Sequence, residues 1–235
     1  MKKLSFTLLL VLLSGIKTLA DETPTISPTA IYEGKDGEEE GQSYSGTAPL
    51  AVRFMANPEN ADGWTAYYEW RFTRENEQEP YLIRYEQDTE YTFLEAGAHS
   101  IVLYATFTQG TEKVEYTEEY WSTQTPIKIS ISESMLEMPN AFSPNGDDKN
   151  NIFKAKKYQS IVEFDAYIFN RWGQKLYEWH DPAGGWDGTY KGKDVAQGVY
   201  YVLVKAKGAD GRRFNIKRDV NLLRGYTESN STNNP

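Results

Sequence analysis

Ile161-Val162-Glu163-Phe164-Asp165-Ala166-Tyr167-Ile168-Phe169 runs directly into Asn170-Arg171-Trp172-Gly173. Val162, Phe164, Ala166 and Ile168 recur at period two, which is the spacing of one face of a β-strand. The four residues that follow close the strand as a turn. Asn bonds to nearby backbone, and Gly takes a positive φ without steric cost. Working outward, Gln174 to Trp179 reads as the partner strand. Gly198 to Ala206 is a third strand, β-branched and aromatic. Ala209-Asp210-Gly211-Arg212 is a hairpin turn of the Asp-Gly kind. Phe214 to Leu223 returns from it, with Phe214, Ile216, Val220 and Leu222 at even spacing. Arg218 interrupts that apolar series and therefore lies at an edge or reaches past it to solvent.

Upstream, Asn140-Ala141-Phe142-Ser143-Pro144-Asn145-Gly146-Asp147 is a dense turn sequence. Pro fixes one φ, Asn and Asp bond to adjacent backbone, and Gly supplies the rare dihedral. Asn145, Asp147, Asn150 and Asn151 also offer oxygen atoms at short spacing, a chemistry that calcium accepts. The run lacks the Asp-x-Asp-x-Asp-Gly order and distal Glu of an EF-hand loop, so no metal is assigned. Trp172 and Trp186 each sit beside a Gly in a turn, either as exposed anchors or laid back over a sheet.

A second β-rich segment spans residues 46–132. Tyr68, Trp70 and Phe72 alternate along Ala66 to Phe72, and Ile101, Leu103, Ala105 and Phe107 share one face of Ser100 to Phe107. Tyr81 to Tyr85, Tyr91 to Leu94, Val114 to Trp121 and Ile127 to Ile131 read as further strands. Short strands at this spacing predict a sandwich of two sheets, with Trp70 as the plug between them. Residues 133–138 read as a linker, since Pro139 holds the residue before it extended. Residues 21–45 read as a flexible lead-in, poor in apolar side chains and carrying Asp36-Gly37-Glu38-Glu39-Glu40. The tail 225–235, rich in Ser, Thr and Asn, reads as disordered.

The N-terminus has the form of a secretory signal over residues 1–20. Lys2 and Lys3 precede an apolar run from Leu4 to Leu13, and Thr18-Leu19-Ala20 is a small-x-small cleavage pattern. A spanning helix needs about twenty apolar residues, more than this run offers before Lys17. The expected fold class is therefore all-β, two Ig-like sandwiches in tandem after a cleaved signal peptide. Cys is absent, which excludes disulfides, thiolate nucleophiles and cysteine metal sites. The formal charge of −9 includes Lys2, Lys3 and Lys17, so cleavage leaves −12. Such a chain repels phosphate backbones, and nucleic acid is not an expected partner.

Catalytic signatures are absent from the sequence. His occurs at His99 and His180: His99 starts a strand with no second His nearby and reads as a strand-edge residue, and His180-Asp181 falls in a turn. There is no His-Glu-x-x-His, Gly-rich phosphate loop or Gly-x-Ser-x-Gly. A glycosidase needs only two placed carboxyls, so a small carbohydrate-active enzyme stays as an alternative. A sandwich of this size leaves no room for a deep cleft, and the expectation is a non-catalytic protein without a cofactor.

Two resemblances sharpen this. Asn140 and Phe142 to Asp147, then Phe169-Asn170-Arg171-Trp172-Gly173, then Trp186-Asp187-Gly188, Gly198 and Tyr200, and last Leu222-Leu223-Arg224, fall in one order. Together they resemble the gliding-motility-associated C-terminal domain of Bacteroidetes, the type B sorting domain of the type IX secretion system. The resemblance implies that residues 139–224 are an address read by the type IX translocon. It also implies anchoring by an outer-membrane protein of the PorP/SprF kind. These positions are the sorting and partner-binding residues that the resemblance implies. Asp148 stands where that family often has Gly, and the family usually ends close to its Leu-Leu-Arg. Separately, Gly46 to Phe54, Tyr68 to Phe72, and Phe93 with Gly97 to Leu103 resemble strands of a PKD domain. The Trp-Asp-Phe-Gly-Asp-Gly stretch of that family is replaced here by Trp70 to Asn76. The expected protein is thus a secreted surface protein with an N-terminal binding module. The alternative is an accessory part of the secretion machinery itself.

Overall fold

The computed structural model describes residues 23–34, 37–147 and 149–225. The expected signal peptide and the tail beyond Gly225 lie outside the described residues. Among those described, no helix is long and apolar enough to cross a membrane.

The first domain contains β1 (Thr25–Ile26), β2 (Thr29–Gly34), β3 (Gly37–Gly41), β4 (Ser43–Gly46), β5 (Leu50–Met55), β6 (Pro58–Glu59), β7 (Thr65–Arg74), β8 (Leu82–Arg84), β9 (Thr89–Phe93), β10 (Gly97–Gln109), β11 (Glu112–Tyr116), the helical turn α1 (Glu118–Trp121) and β12 (Ile127–Ile131). One sheet runs β3-β2-β5-β9; the other runs β4-β12-β10-β7-β8, with β11 also paired to β10. The inward sets of β5, β7, β10 and β12 alternate as strand geometry requires and bury Phe54, Trp70, Phe72, Ile101, Leu103, Phe107, Ile127 and Ile129. Trp70 is the plug between the sheets, and its indole N–H donates to the Gln87 carbonyl at 3.0 Å.

Two expectations for this domain need correction. The lead-in contains ordered strands. Ala30 and Tyr32 are buried and pair with Phe54 and Val52 of β5, so β2 is an inner strand. The acidic Glu38, Glu39 and Glu40 sit on β3, an edge strand paired to β2 whose charged side chains face solvent. Charge in sequence here marks a protected sheet edge. Val114 to Trp121 is not one strand either. β11 ends at Tyr116, and α1 follows so that the Trp121 indole donates to the Leu103 carbonyl at 2.7 Å.

The second domain contains β13 (Met135–Glu137), β14 (Ala141–Phe142), β15 (Phe153–Lys154), β16 (Lys157–Gln159), β17 (Ile161–Phe169), β18 (Lys175–Trp179), β19 (Gly185–Trp186), β20 (Thr189–Tyr190), β21 (Lys193–Asp194), β22 (Gly198–Gly208) and β23 (Arg213–Leu222). Five strands form one sheet in the order β14-β23-β22-β17-β18. Facing it are short two-stranded pairs and turns. Phe153 and Trp186 oppose each other across β15 and β19, and both are fully buried. Both domains are Ig-like sandwiches. The predicted linker is instead taken into the fold, because β13 pairs with β16 and Met138 is buried. Arg218 reaches an edge, where its guanidinium donates to the Met138 carbonyl at 2.7 Å.

Candidate recognition surface

The motif pieces that lie far apart in sequence meet in space. Arg224 ties three of them together. Its guanidinium donates to the carbonyls of Gly188 at 2.7 Å, Val195 at 3.1 Å and Pro144 at 3.4 Å, and it pairs with Asp194 at 3.3 Å. Arg is the side chain suited to this, since its fork presents several donors in one plane. Gly188 has φ +82°, and a Cβ there would stand about 3.1 Å from both Leu222 and Pro144. Trp186 packs against Phe142 at 5.3 Å and Tyr200 at 5.2 Å between ring centroids. Its indole donates to the Thr189 carbonyl at 2.7 Å, and the Tyr200 hydroxyl donates to the Ala196 carbonyl at 2.6 Å. Leu223 donates its amide to the Phe142 carbonyl at 3.0 Å, and Asn221 does so to Asn140 at 2.9 Å.

The Ser143 to Asn151 loop satisfies itself. Asn151 Oδ1 accepts the amides of Asn145 and Gly146, Asn145 Oδ1 accepts that of Asp147, and Asp147 Oδ1 accepts that of Lys149. The Lys149 amide, then the Asn145 side chain, holds the Asp147 carboxyl below the usual carboxylate range. Side-chain oxygens of Asn145, Asp147 and Asn151 thus already accept backbone N–H groups. Among the described residues, no group of three His, Cys, Asp or Glu side chains is placed to hold a metal ion.

Burial divides the sorting residues. Phe142, Ser143, Trp186, Gly188, Tyr200 and Leu222 are buried and offer nothing to an outside protein. Their contribution is to shape the surface. Pro144, Asn145, Phe169, Asn170, Leu223 and Arg224 are half-buried. Asn140, Gly146, Asp147, Arg171, Trp172, Gly173, Asp187 and Gly198 are exposed. The two tryptophans have opposite fates: Trp186 is 0% exposed and Trp172 is 77% exposed.

Trp172 is held out by its turn. Asn170 Oδ1 accepts the amides of Trp172 and Gln174, both at 3.0 Å. Gly173 has φ +77° and donates its amide to the Asn170 carbonyl. The Arg171 guanidinium covers one face of the Trp172 ring at 4.6 Å, a cation–π contact. Beside them opens a groove of about 680 Å³ lined by Trp172, Tyr190, Val195, Val199 and Tyr201. Tyr190 and Gln174 bridge the turn to the β20–β21 arm through a 3.2 Å hydrogen bond. Sequence reasoning missed Val199 and Tyr201, both about half exposed on β22. Their odd parity, opposite to the inward Tyr200, was the available signal.

The two histidines sit in different surroundings. His99 is buried between the Tyr81 hydroxyl at 3.1 Å and the Glu95 carbonyl at 3.3 Å, and burial lowers its pKa. His180 contacts Asp165 at 2.7 Å on the open surface. Charge also separates the domains. Residues 21–132 hold 7 Lys and Arg against 21 Asp and Glu, a formal −14, while residues 133–235 hold 15 against 13, a formal +2.

Residues 136–217 match the family model CHU_C, the type IX secretion signal domain. The C-terminal sandwich is a type IX secretion signal domain. It addresses the chain that carries it to the cell surface through that secretion system. Among curated proteins none matches the chain. Fibronectin(III)-like modules of Clostridium thermocellum CbhA share 12% identity over 86% of this chain and 94% of theirs, with a TM-score of 0.25. Dimeric latent PorU from Porphyromonas gingivalis also shares 12% identity, with a TM-score of 0.25 over 90% of this chain. This chain spans 21% of that PorU chain. The family match begins at Leu136, so it takes in two of the three residues of β13 and half of the predicted linker.

Proposed function

We propose that this protein is a non-catalytic surface cargo of type IX secretion. A cleaved leader over residues 1–20 takes it across the inner membrane. The signal domain is then gripped at Trp172, Arg171 and the groove beside them, by the translocon and afterwards by an outer-membrane protein of the PorP/SprF kind. The first sandwich is displayed as a binding module. The observation that carries this reading is the exposure of Trp172 on a pinned turn, while the other large side chains Phe142, Trp186, Tyr200 and Leu222 of the motif are spent on internal packing. An exposed, rigidly held Trp offers large contact area at little entropic cost.

The test uses the full chain in a type IX-competent host, with Trp172→Ala and Arg171→Ala, scored by protease accessibility on intact cells. Wild type should reach the surface, and Trp172→Ala should accumulate in the periplasm at unchanged total level. Normal surface display of both variants would remove the proposed grip. Deleting the gene decides between cargo and machinery: loss of export for unrelated proteins would mean machinery.

A further inference from the structure

The β22–β23 hairpin has two working ends. One end, at Gly198 and Leu222, belongs to the Arg224-tied knot. The other, at Gly208 to Arg212, enters the first domain. Ala209 is buried within the hydrophobic cluster of that domain, together with Phe54, Trp70 and Ile129, and Val162 packs against the same cluster. Val162 was expected to line the second core with Phe164. A register shift between Ile161 and Glu163 turns it the other way.

Hydrogen bonds fix this tip from several sides. The Ala96 amide donates to the Ala209 carbonyl at 3.0 Å, and the Ala209 amide donates to the Ser160 carbonyl at 2.9 Å. Ser160, only 2% exposed and at φ +46°, accepts the Ala48 amide on its hydroxyl at 3.2 Å and meets the Ser132 hydroxyl at 3.3 Å. Ser134 donates its hydroxyl to Asp210 Oδ1 at 2.6 Å and its amide to Oδ2 at 3.2 Å. A side chain at Gly208 would meet the Ser134 hydroxyl at 2.0 Å, so the approach requires glycine there. Backbone donors of the first domain are thus satisfied by atoms of the second, and leaving such groups buried and unpaired is costly.

We infer that the hairpin tip completes the core of the first domain, which makes the signal domain a permanent structural part of the exported protein. The segment before it is held in place: Ser134 and Met138 are buried, and Met135 to Glu137 lie in a strand pair. The two domains unfold as one unit. This holds whether or not Trp172 is the docking residue.

The experiment takes the purified full chain through chemical denaturation, followed by amide exchange and limited proteolysis. Wild type should show one transition and resist cutting across residues 132–139. Ala209→Asp places a carboxylate in the first core and should split the transition in two. Should that variant fail to fold, Ser134→Ala removes one hydroxyl and should speed exchange at the Ala96 and Ala209 amides by about tenfold, the scale of one lost hydrogen bond. Two separate transitions in wild type, or Ser134→Ala exchange equal to wild type, would overturn the inference.

Discussion

The two sandwiches each bury one tryptophan completely, Trp70 in the first and Trp186 in the second, yet they build the surrounding walls differently. Trp70 lies in the middle of a ten-residue strand between two regular sheets. Trp186 lies on a two-residue strand, facing a five-stranded sheet across a wall of turns. A wall of strands is held by ladder hydrogen bonds, which any sequence can make. A wall of turns depends on particular residues, here the side chains of Arg224, Asn151 and Asn170 and the missing one at Gly188. The signal domain is therefore legible as a set of motifs, and the first domain only as a rhythm.

The comparison breaks most sharply at its two plugs. Trp70→Ala and Trp186→Ala should each cost about 3–5 kcal/mol in urea denaturation, as buried aromatics do. A small cost at Trp186 alone would mean that the turn-built wall is not a packed core. Next is Arg224→Ala, which removes charged donors from three carbonyls and should cost about 2–3 kcal/mol. Arg224→Lys should recover little, because an ammonium cannot span those positions. A Lys variant as stable as wild type would contradict the role given to the fork.

A smaller effect concerns pH. Burial holds the His99 pKa below its ordinary value, so the unfolded chain takes up this proton first. Stability should be complete above about pH 6.5 and fall as pH drops below it. Arg74, Glu95 and Tyr81 also face His99 and stay in place in His99→Gln. That variant should lose this part of the slope when melting midpoints are compared between about pH 7.5 and pH 5. The smallest change is Trp172→Ala, expected within about 0.5 kcal/mol of wild type because its side chain is in solvent. Its effect belongs to export, and a large loss of stability would return Trp172 to the core.

Legibility followed the same division. Tyr68, Trp70 and Phe72, and Ile101 to Phe107, were readable because one face of each strand is buried along its length. Ala30 and Tyr32 alternate equally well, but the charged Glu38 to Glu40 beside them reads as a solvated segment. Their place is set by pairing with β5, which is remote in sequence. In the signal domain the turn chemistry announced the loops. Which tryptophan points outward was not readable, since both have Gly neighbours. That choice rests on Leu222 and Arg224 closing over Gly188 at one site, and on Asn170 holding two amides at the other. The hairpin tip was read correctly as a turn, but nothing local in Ala209 or Asp210 says that another domain receives it.

The unequal charges of the two domains, −14 for residues 21–132 against +2 for residues 133–235, give the molecule an electric dipole. Near an anionic lipid layer such a dipole feels a torque that turns the basic half inward and the acidic half outward. The alignment reaches only about 10 Å from the surface at 0.1 M salt and fades as ions are added. Near such a layer the orientation is thus partly set before any contact forms, with the domain of residues 21–132 turned away from the negative surface.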